Sequence, residues 1–237
     1  MLIESKVSRS YQQHCGLARA LDHLGERWTL LIVRELLLGP RRYGDLLATL
    51  DGITTNLLAK RLQEMSAAAI VQKQALAPPA SGEAYVLTES GRALEPVIME
   101  LGRWGGRFLM DPRKDDRRNI GWGLISMKRR YLGSAPFVLE LQAGSRRFEV
   151  TLGEERLGVA ERAAGRADLR VIAADQEPLF DLLFKGIPAE KLEKKGLLRF
   201  EGDASFWPRF LAAFAPMKPP GSAAGSGGKE KAVLGRA

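Results

Sequence analysis

"ITTNLLAKRLQEM", residues 53–65, reads as a helix with two unlike faces. Leu58, Leu62 and Met65 recur at spacings of four and three, with Ile53 ahead of them, so one stripe can face a core. Thr55, Asn56, Ala59, Lys60 and Gln63 follow the same period about half a turn away. They combine short hydroxyl or amide groups with one positive charge, a face that another surface can approach closely. An ordinary solvated helix is the competing reading, although such a helix more often carries Glu and Arg pairs there. The neighbouring segments decide between the two.

Upstream, "RRYGDLLATLDG" places Tyr43, Leu46, Leu47 and Leu50 at helical spacing, and Asp51-Gly52 closes that helix with a turn. Two short helices joined by a tight turn make a helix-turn-helix. Downstream, "IVQKQAL" and "EAYVLT" are strand-like and flank "APPASG", a loop of Pro, Gly and Ser that reads as a hairpin tip. That hairpin is a wing. "CGLARALDHLG" and "RWTLLIVRELLLG" precede these elements as helices stopped by Gly25 and Gly39, and "TESGRALEPVIMELGRWGGRFLM" follows them as one longer helix.

The chain has 237 residues, a length that favours two domains, and a hydrophobic content of 45%, enough for real cores. No apolar run is long enough for a bilayer span, and "MLIESKVSRS" lacks the core of a secretory signal, so a cytoplasmic protein with no membrane partner is expected. The one cysteine, Cys15, excludes an internal disulfide. With His14 and His23 it makes no convincing closed zinc site, because adjacent helical residues point to different sides. No metal or cofactor is expected. The net charge of +8 suggests a polyanionic partner. The surplus is only one charge over residues 1–111, against two over 112–119, two over 120–217 and three over 218–237. The case for nucleic acid therefore rests on local geometry.

"CGLARALDHLGERWTLLIVRELLLGPRRYGDLL", then "ITTNLLAKRLQEM", "YVLTESGRALEPVI" and "LGRWG", resembles the HxlR family of winged-helix transcriptional regulators, relatives of the MarR type. The resemblance covers about residues 14–108 and is carried by Cys15, Gly25 with Trp28, Tyr43-x-Asp45-Leu46, Arg61-Leu62, and Leu87-Thr88 with Gly91. Two features depart from the pattern. Many relatives have Glu-x-x-Gly before the first wing strand, where "EMSAAAIV" has Ala, and "APPASG" is poor in arginine. The resemblance implies a sequence-specific regulator, most commonly a repressor, acting on double-stranded operator DNA. If helix 54–65 enters the major groove, Thr54, Thr55 and Asn56 at its start meet bases or phosphates and Lys60 neutralises phosphate. Arg41, Arg42 and Lys73 are expected as outer clamps. Arg61 sits beside the core stripe and has two readings, phosphate contact or internal salt bridge. The resemblance also assigns homodimerisation to the first helix and to the helix around 89–109, through Leu94, Val97, Ile98, Leu101 and Trp104. Some relatives carry a redox-responsive cysteine where Cys15 stands; a buried small hydrophobe is the favoured reading of that residue.

"DPRKDDRRN", residues 111–119, is a charged break that ends an N-terminal domain of residues 1–110. Beyond it "WGLISMKRRYL" reads as a helix, and "FVLELQAG", "RRFEVTLG", "RLGVAER" and "ADLRVIAA" as four strands. "QEPLFDLLFKG", "PAEKLEKKG" and "DASFWPRFLAAF" are helical, with "LLRFEG" a fifth strand before the last of them. This predicts an α+β domain over residues 120–217 with a mostly antiparallel sheet. The stretches "ADLRVIAADQEPLFDLLFKG" and "PAEKLEKKGLLRFEGDASFWPRFLAAF" resemble a sterol-carrier-protein-like domain, most specifically over residues 196–203. That resemblance implies an apolar tunnel holding a small-molecule effector, with Trp122, Phe137, Phe148, Phe180, Phe184, Phe206, Trp207 and Phe210 as candidate lining. Plain core is the competing reading for each ring. The tail, residues 218–237, is rich in Pro, Gly, Ser and Ala and is expected to be disordered.

No catalytic set emerges: residues 120–217 contain no His or Cys and no Gly-rich loop between strand and helix. The expected protein is a two-domain winged-helix regulator, not an enzyme, whose C-terminal half senses an apolar ligand. A thiol sensor through Cys15 and a lipid-binding carrier are the alternatives.

Overall fold

Ile53, Leu58, Leu62 and Met65 are buried, as their spacing requires, in a core shared with Ile32, Val33, Leu36, Leu46, Ile70 and Leu87. The structure, a computed structural model, describes residues 10–76, 78, 80–110 and 116–216. Four helices come first: α1 (Gly16–Leu24), α2 (Thr29–Leu36), α3 (Tyr43–Thr49) and α4 (Thr55–Ala67). The wing follows as β1 (Val71–Ala75) and β2 (Glu83–Leu87), antiparallel, with Val71 opposite Leu87. Arg41 adds an isolated antiparallel bridge to β2 through mutual N–H to C=O bonds with Tyr85. The wing residues 77 and 79, the linker residues 111–115, and the tail from 217 lie outside the described residues, so the expected disorder of the tail falls outside them too.

The long helix expected over 88–110 is divided. The structure has α5 (Glu89–Arg92), α6 (Glu95–Gly105) and a 3-10 turn over Gly106–Met110. Pro96 stands in the first turn of α6, where its missing N–H costs nothing, so a new helix starts there more easily than an old one continues. Thr88 fixes the entry: its hydroxyl accepts from Gly91 N at 3.1 Å and donates to the Ala69 carbonyl at 2.5 Å. Gly91 has to be glycine here, because a Cβ would stand 2.1 Å from the Ile70 carbonyl oxygen.

The second half builds α7 (Ile120–Met127), β3 (Phe137–Ala143), β4 (Arg146–Leu152), β5 (Leu157–Ala160), β6 (Leu169–Ala173), α8 (Glu177–Phe184), α9 (Ala189–Lys194), β7 (Leu198–Gly202) and α10 (Phe206–Ala212). The strand order is β5-β4-β3-β6-β7, with only the central β3–β6 pair parallel. The register stacks Leu139 on Val150 and Leu169, and Leu141 on Phe148 and Val171, so alternate residues of neighbouring strands form one apolar layer. The opposite face carries paired charges such as Glu140 with Arg170 and Glu149 with Arg162.

The two halves are joined by more than the linker. Leu38, just past α2, is fully buried, and its neighbours belong to the core of the second half. It fits against α7 because Gly121 has no side chain; a Cβ there would lie 2.7 Å from a Leu38 methyl. The Leu38 carbonyl accepts from Glu161 N at 2.7 Å, and Leu37 touches both cores.

Candidate nucleic-acid interface

Helix α4 is positioned by side chains that the sequence motifs single out. Tyr43 donates its hydroxyl to the Thr55 carbonyl at 2.6 Å, tying α3 to the start of α4. Asp45 accepts from Arg42 N at 2.9 Å and so satisfies an N–H at the entry of α3. Gly52 turns the chain at φ 85°, with the Trp28 ring over it at 3.9 Å from where a Cβ would be. The Thr54 hydroxyl accepts from Leu57 N at 3.3 Å and caps α4.

On the outer face, Thr54, Thr55, Asn56, Ala59, Lys60 and Gln63 are all exposed. Among the described residues, the side chains of Thr55, Asn56, Lys60 and Gln63 have no hydrogen bond or ion pair. Exposed polar groups without internal partners can meet base edges and phosphates without first breaking a bond.

The expected outer clamps divide. Arg42 is exposed and gives its guanidinium to the Ser81 carbonyl at 2.6 Å, bracing the wing. Lys73 lies on β1 but is matched by Glu83 at 3.1 Å, which raises its affinity for its proton and cancels much of its charge. Arg41 requires correction as a clamp: it is turned away into an ion pair with Glu161 of the second half. Arg61 takes the internal of its two readings. Its side chain is 7% exposed and lies 2.7 Å from Glu64 and 3.5 Å from Glu26.

The Arg41 pair opens a seam of interdomain contacts. Burial opposes ionisation of Glu161, but hydrogen bonds and charge from Arg146 and Arg41 outweigh it and hold its carboxyl below the ordinary value. Arg146 reaches Glu161 at 2.7 Å and Asn119 Oδ1 at 3.1 Å, and Asn119 in turn caps α7. Glu35, 1% exposed, accepts from the Trp122 indole N–H at 2.7 Å and from Arg34 at 2.7 Å, while the Arg34 guanidinium stacks on Trp122 at 3.8 Å. Sequence reasoning missed Glu35. The available signal was a carboxylate three residues from Ile32 on an apolar helix stripe, a position that demands a buried partner.

Trp122 therefore departs from the expected tunnel lining, because its polar edge is committed to Glu35. The other rings pack on one another: Phe137 on Phe206 at 5.0 Å, Phe180 on Phe184 at 5.5 Å, and Trp207 on Phe210 at 5.2 Å. Phe148 and Phe210 are fully buried, and the Phe184 ring occupies the space a Cβ on Gly123 would need. Cys15 also departs from expectation. It is exposed at the N-cap of α1, not buried, and backbone N–H groups of Ala18 and Leu17 lower its thiol below the ordinary value. Leu17 and Leu21 on α1 and Val97, Leu101 and Trp104 on α6 are exposed, whereas Leu94 and Ile98 pack inward. No described helix is long and apolar enough to cross a membrane.

The HxlR-like helix-turn-helix family matches residues 23–113. The HTH-type transcriptional regulator YodB of Bacillus subtilis (strain 168) is 37% identical over 89 residues, which are 38% of this chain and 80% of that protein. An uncharacterized HTH-type transcriptional regulator of Mycobacterium tuberculosis (strain ATCC 25618 / H37Rv) is 38% identical over 41% of this chain, which spans 61% of that relative. The solved reduced form of YodB from B. subtilis is 35% identical, covering 41% of this chain and 96% of that one with a TM-score of 0.36. The family match falls on the half that carries α4 and the wing, and the chain belongs to the HxlR-like helix-turn-helix family of transcriptional regulators.

Proposed function

We propose that this protein is a homodimeric operator-binding repressor that reads DNA through α4 and is modulated by a small molecule held against its C-terminal half. The observation that carries the reading is the outer face of α4: Thr55, Asn56, Lys60 and Gln63 are exposed and, among the described residues, free of internal partners. Lys60 lies one turn from Asn56, so a helix that presents Asn56 to bases brings Lys60 near phosphate. Exposed Leu17, Leu21, Val97, Leu101 and Trp104 support dimerisation, since an apolar patch of that kind is covered in a stable protein. A dimer offers two reading helices to a pseudo-palindromic site. Selection of bound genomic fragments, followed by mobility shifts and a reporter assay, tests the reading. Specific binding by the parent, lost on Thr55→Ala with Asn56→Ala, is expected. A protein that binds lipid but no DNA fragment selectively is a carrier instead.

Cys15 supports a second mode of control. An exposed thiol held below its ordinary value is more often a thiolate, the form that reacts with electrophiles and peroxides. Cys15→Ser is expected to bind operator normally and lose any response to such oxidants. A parent thiol unreactive toward a disulfide reagent at neutral pH removes this mode.

A further inference from the structure

Beside the seam the two halves leave a cleft open. α6 supplies Pro96, Met99 and Arg103 to one wall; Arg129 and Tyr131 after α7 and Arg156 before β5 supply the other, around about 560 Å³. Five Arg or Lys and three Glu side chains line it, a surplus of positive charge. Two of the acids are already engaged, Glu95 by Lys128 and Glu100 by Arg103 at 3.2 Å. Arg129 has no such partner: among the described residues, no group accepts a hydrogen bond from it. Its guanidinium lies against Gly102 of α6, where a Cβ would come within 2.7 Å of its Nη1. Burial, and then the like charge of Arg103, hold Arg129 below its ordinary value.

A second cavity of about 310 Å³ runs between the end of α2, the wing strand β2 and β5. Leu36, Leu37, Val86, Leu87 and Ala160 make it apolar. Both cavities are lined by Arg92 and Glu95, so the apolar recess adjoins the charged mouth.

We infer that this two-part cleft binds an amphipathic monocarboxylate, its head on Arg103 and Arg129 and its hydrocarbon body in the recess beneath Val86 and Ala160. Two neighbouring guanidinium groups, of which only that of Arg103 is paired with a glutamate, are relieved by a second carboxylate, which can accept from both in the planar, paired geometry that arginine favours. The apolar body leaves water for a surface that lacks other cover, and the volumes fall in the range of small-molecule sites. The site lies between the halves, not inside the aromatic core of the second. α6 gives Met99 and Arg103 to the cleft and Val97, Leu101 and Trp104 to its exposed face, so an occupant bears on the proposed dimer surface. Only that consequence rests on the effector reading above; the binding itself needs no DNA.

The test is calorimetric titration of the full-length protein with decanoate and, separately, 1-decanol, in the absence of DNA. Saturable decanoate binding with a dissociation constant below about 1 mM is expected. Arg129→Gln should weaken decanoate at least about tenfold while leaving 1-decanol unchanged, and Ala160→Trp should fill the recess and abolish both. If Arg129→Gln lowers the thermal midpoint of the free protein, Arg103→Gln on the more exposed side gives the same comparison. Absence of saturable decanoate binding by the parent overturns the inference. So does unchanged decanoate affinity in the folded arginine variant or in Ala160→Trp, which would move the ligand to the sheet core. Because no operator is present, failure here leaves the DNA-binding reading to its own experiment.

Discussion

Arg41 and Arg42 are adjacent in sequence and serve two different regions. Arg42 stays outside, bracing the wing beside α4, while Arg41 is drawn into the seam by Glu161. The regions differ in what their polar groups have left to give. On the outer face of α4 the side chains of Thr55, Asn56, Lys60 and Gln63 are exposed and, among the described residues, unpartnered. Along the seam, buried Glu35 is held by Trp122 and Arg34, and Glu161 by two arginines. A substitution on α4 should therefore change recognition with little effect on folding, and one in the seam should do the reverse.

The largest effect tests the seam. Leu38→Ala removes a fully buried side chain from the core of the second half and should destabilise the whole protein by roughly 3 kcal/mol in denaturant unfolding. Discrimination between operator and random DNA should survive in the folded fraction. If stability is unchanged, the halves are not coupled through this residue.

Next is Glu161→Gln, expected to cost about 2 kcal/mol because it leaves Arg41 and Arg146 with a neutral partner. It also changes the pH response. A carboxyl whose folded value lies below its ordinary 4.5 contributes stability in full above that value and loses it as pH falls through the lowered one. The parent should therefore lose thermal stability in that acidic window, and the variant should show a flatter profile there. Parallel profiles would remove Glu161 from the seam's energetics.

Asn56→Ala should leave unfolding within about 0.5 kcal/mol of the parent. It should lower discrimination for operator by roughly 1–3 kcal/mol, whereas Lys60→Ala weakens specific and random DNA alike and flattens the salt dependence. Mobility shifts at several salt concentrations separate the two. Variants that bind like the parent would make the α4 face solvated surface only.

The smallest effect comes from Ala69, which sits at φ 53° just before the wing. Ala69→Gly relieves a conformation that costs an L-residue roughly 1–2 kcal/mol, offset by the greater freedom of glycine in the unfolded chain. A net stabilisation of about 0.5 kcal/mol should appear as a rise in denaturant midpoint, with DNA binding unchanged.

What the sequence made legible was local. The stripe of Leu58, Leu62 and Met65, the wing strands and the five strands of the second half all follow from periodicity within a few residues. Contacts between distant segments were not legible. Nothing near Arg41 distinguishes it from Arg42, since the deciding partner is 120 residues away. "LLLG" after Glu35 looks like the end of one helix stripe, yet Leu38 belongs to the other core. Aromatic spacing could not tell a lined tunnel from rings stacked on one another, because both need the same residues on the same faces. The acidic stretch of sequence around Glu95 and Glu100 likewise gave no sign that Arg129 would come to rest beside it.

Leu38 has a further consequence for engineering hybrid regulators. A winged-helix half excised near residue 110 would carry to solvent a leucine that is fully covered in the intact protein, together with a carboxylate at Glu35 stripped of its indole donor. Swapping this C-terminal half onto a different reading head is thus not a matter of splicing at the charged linker. The recipient must also be given a leucine after its second helix, a glutamate three residues before it and an arginine three residues beyond, the three positions that here receive Gly121, Trp122 and Glu161.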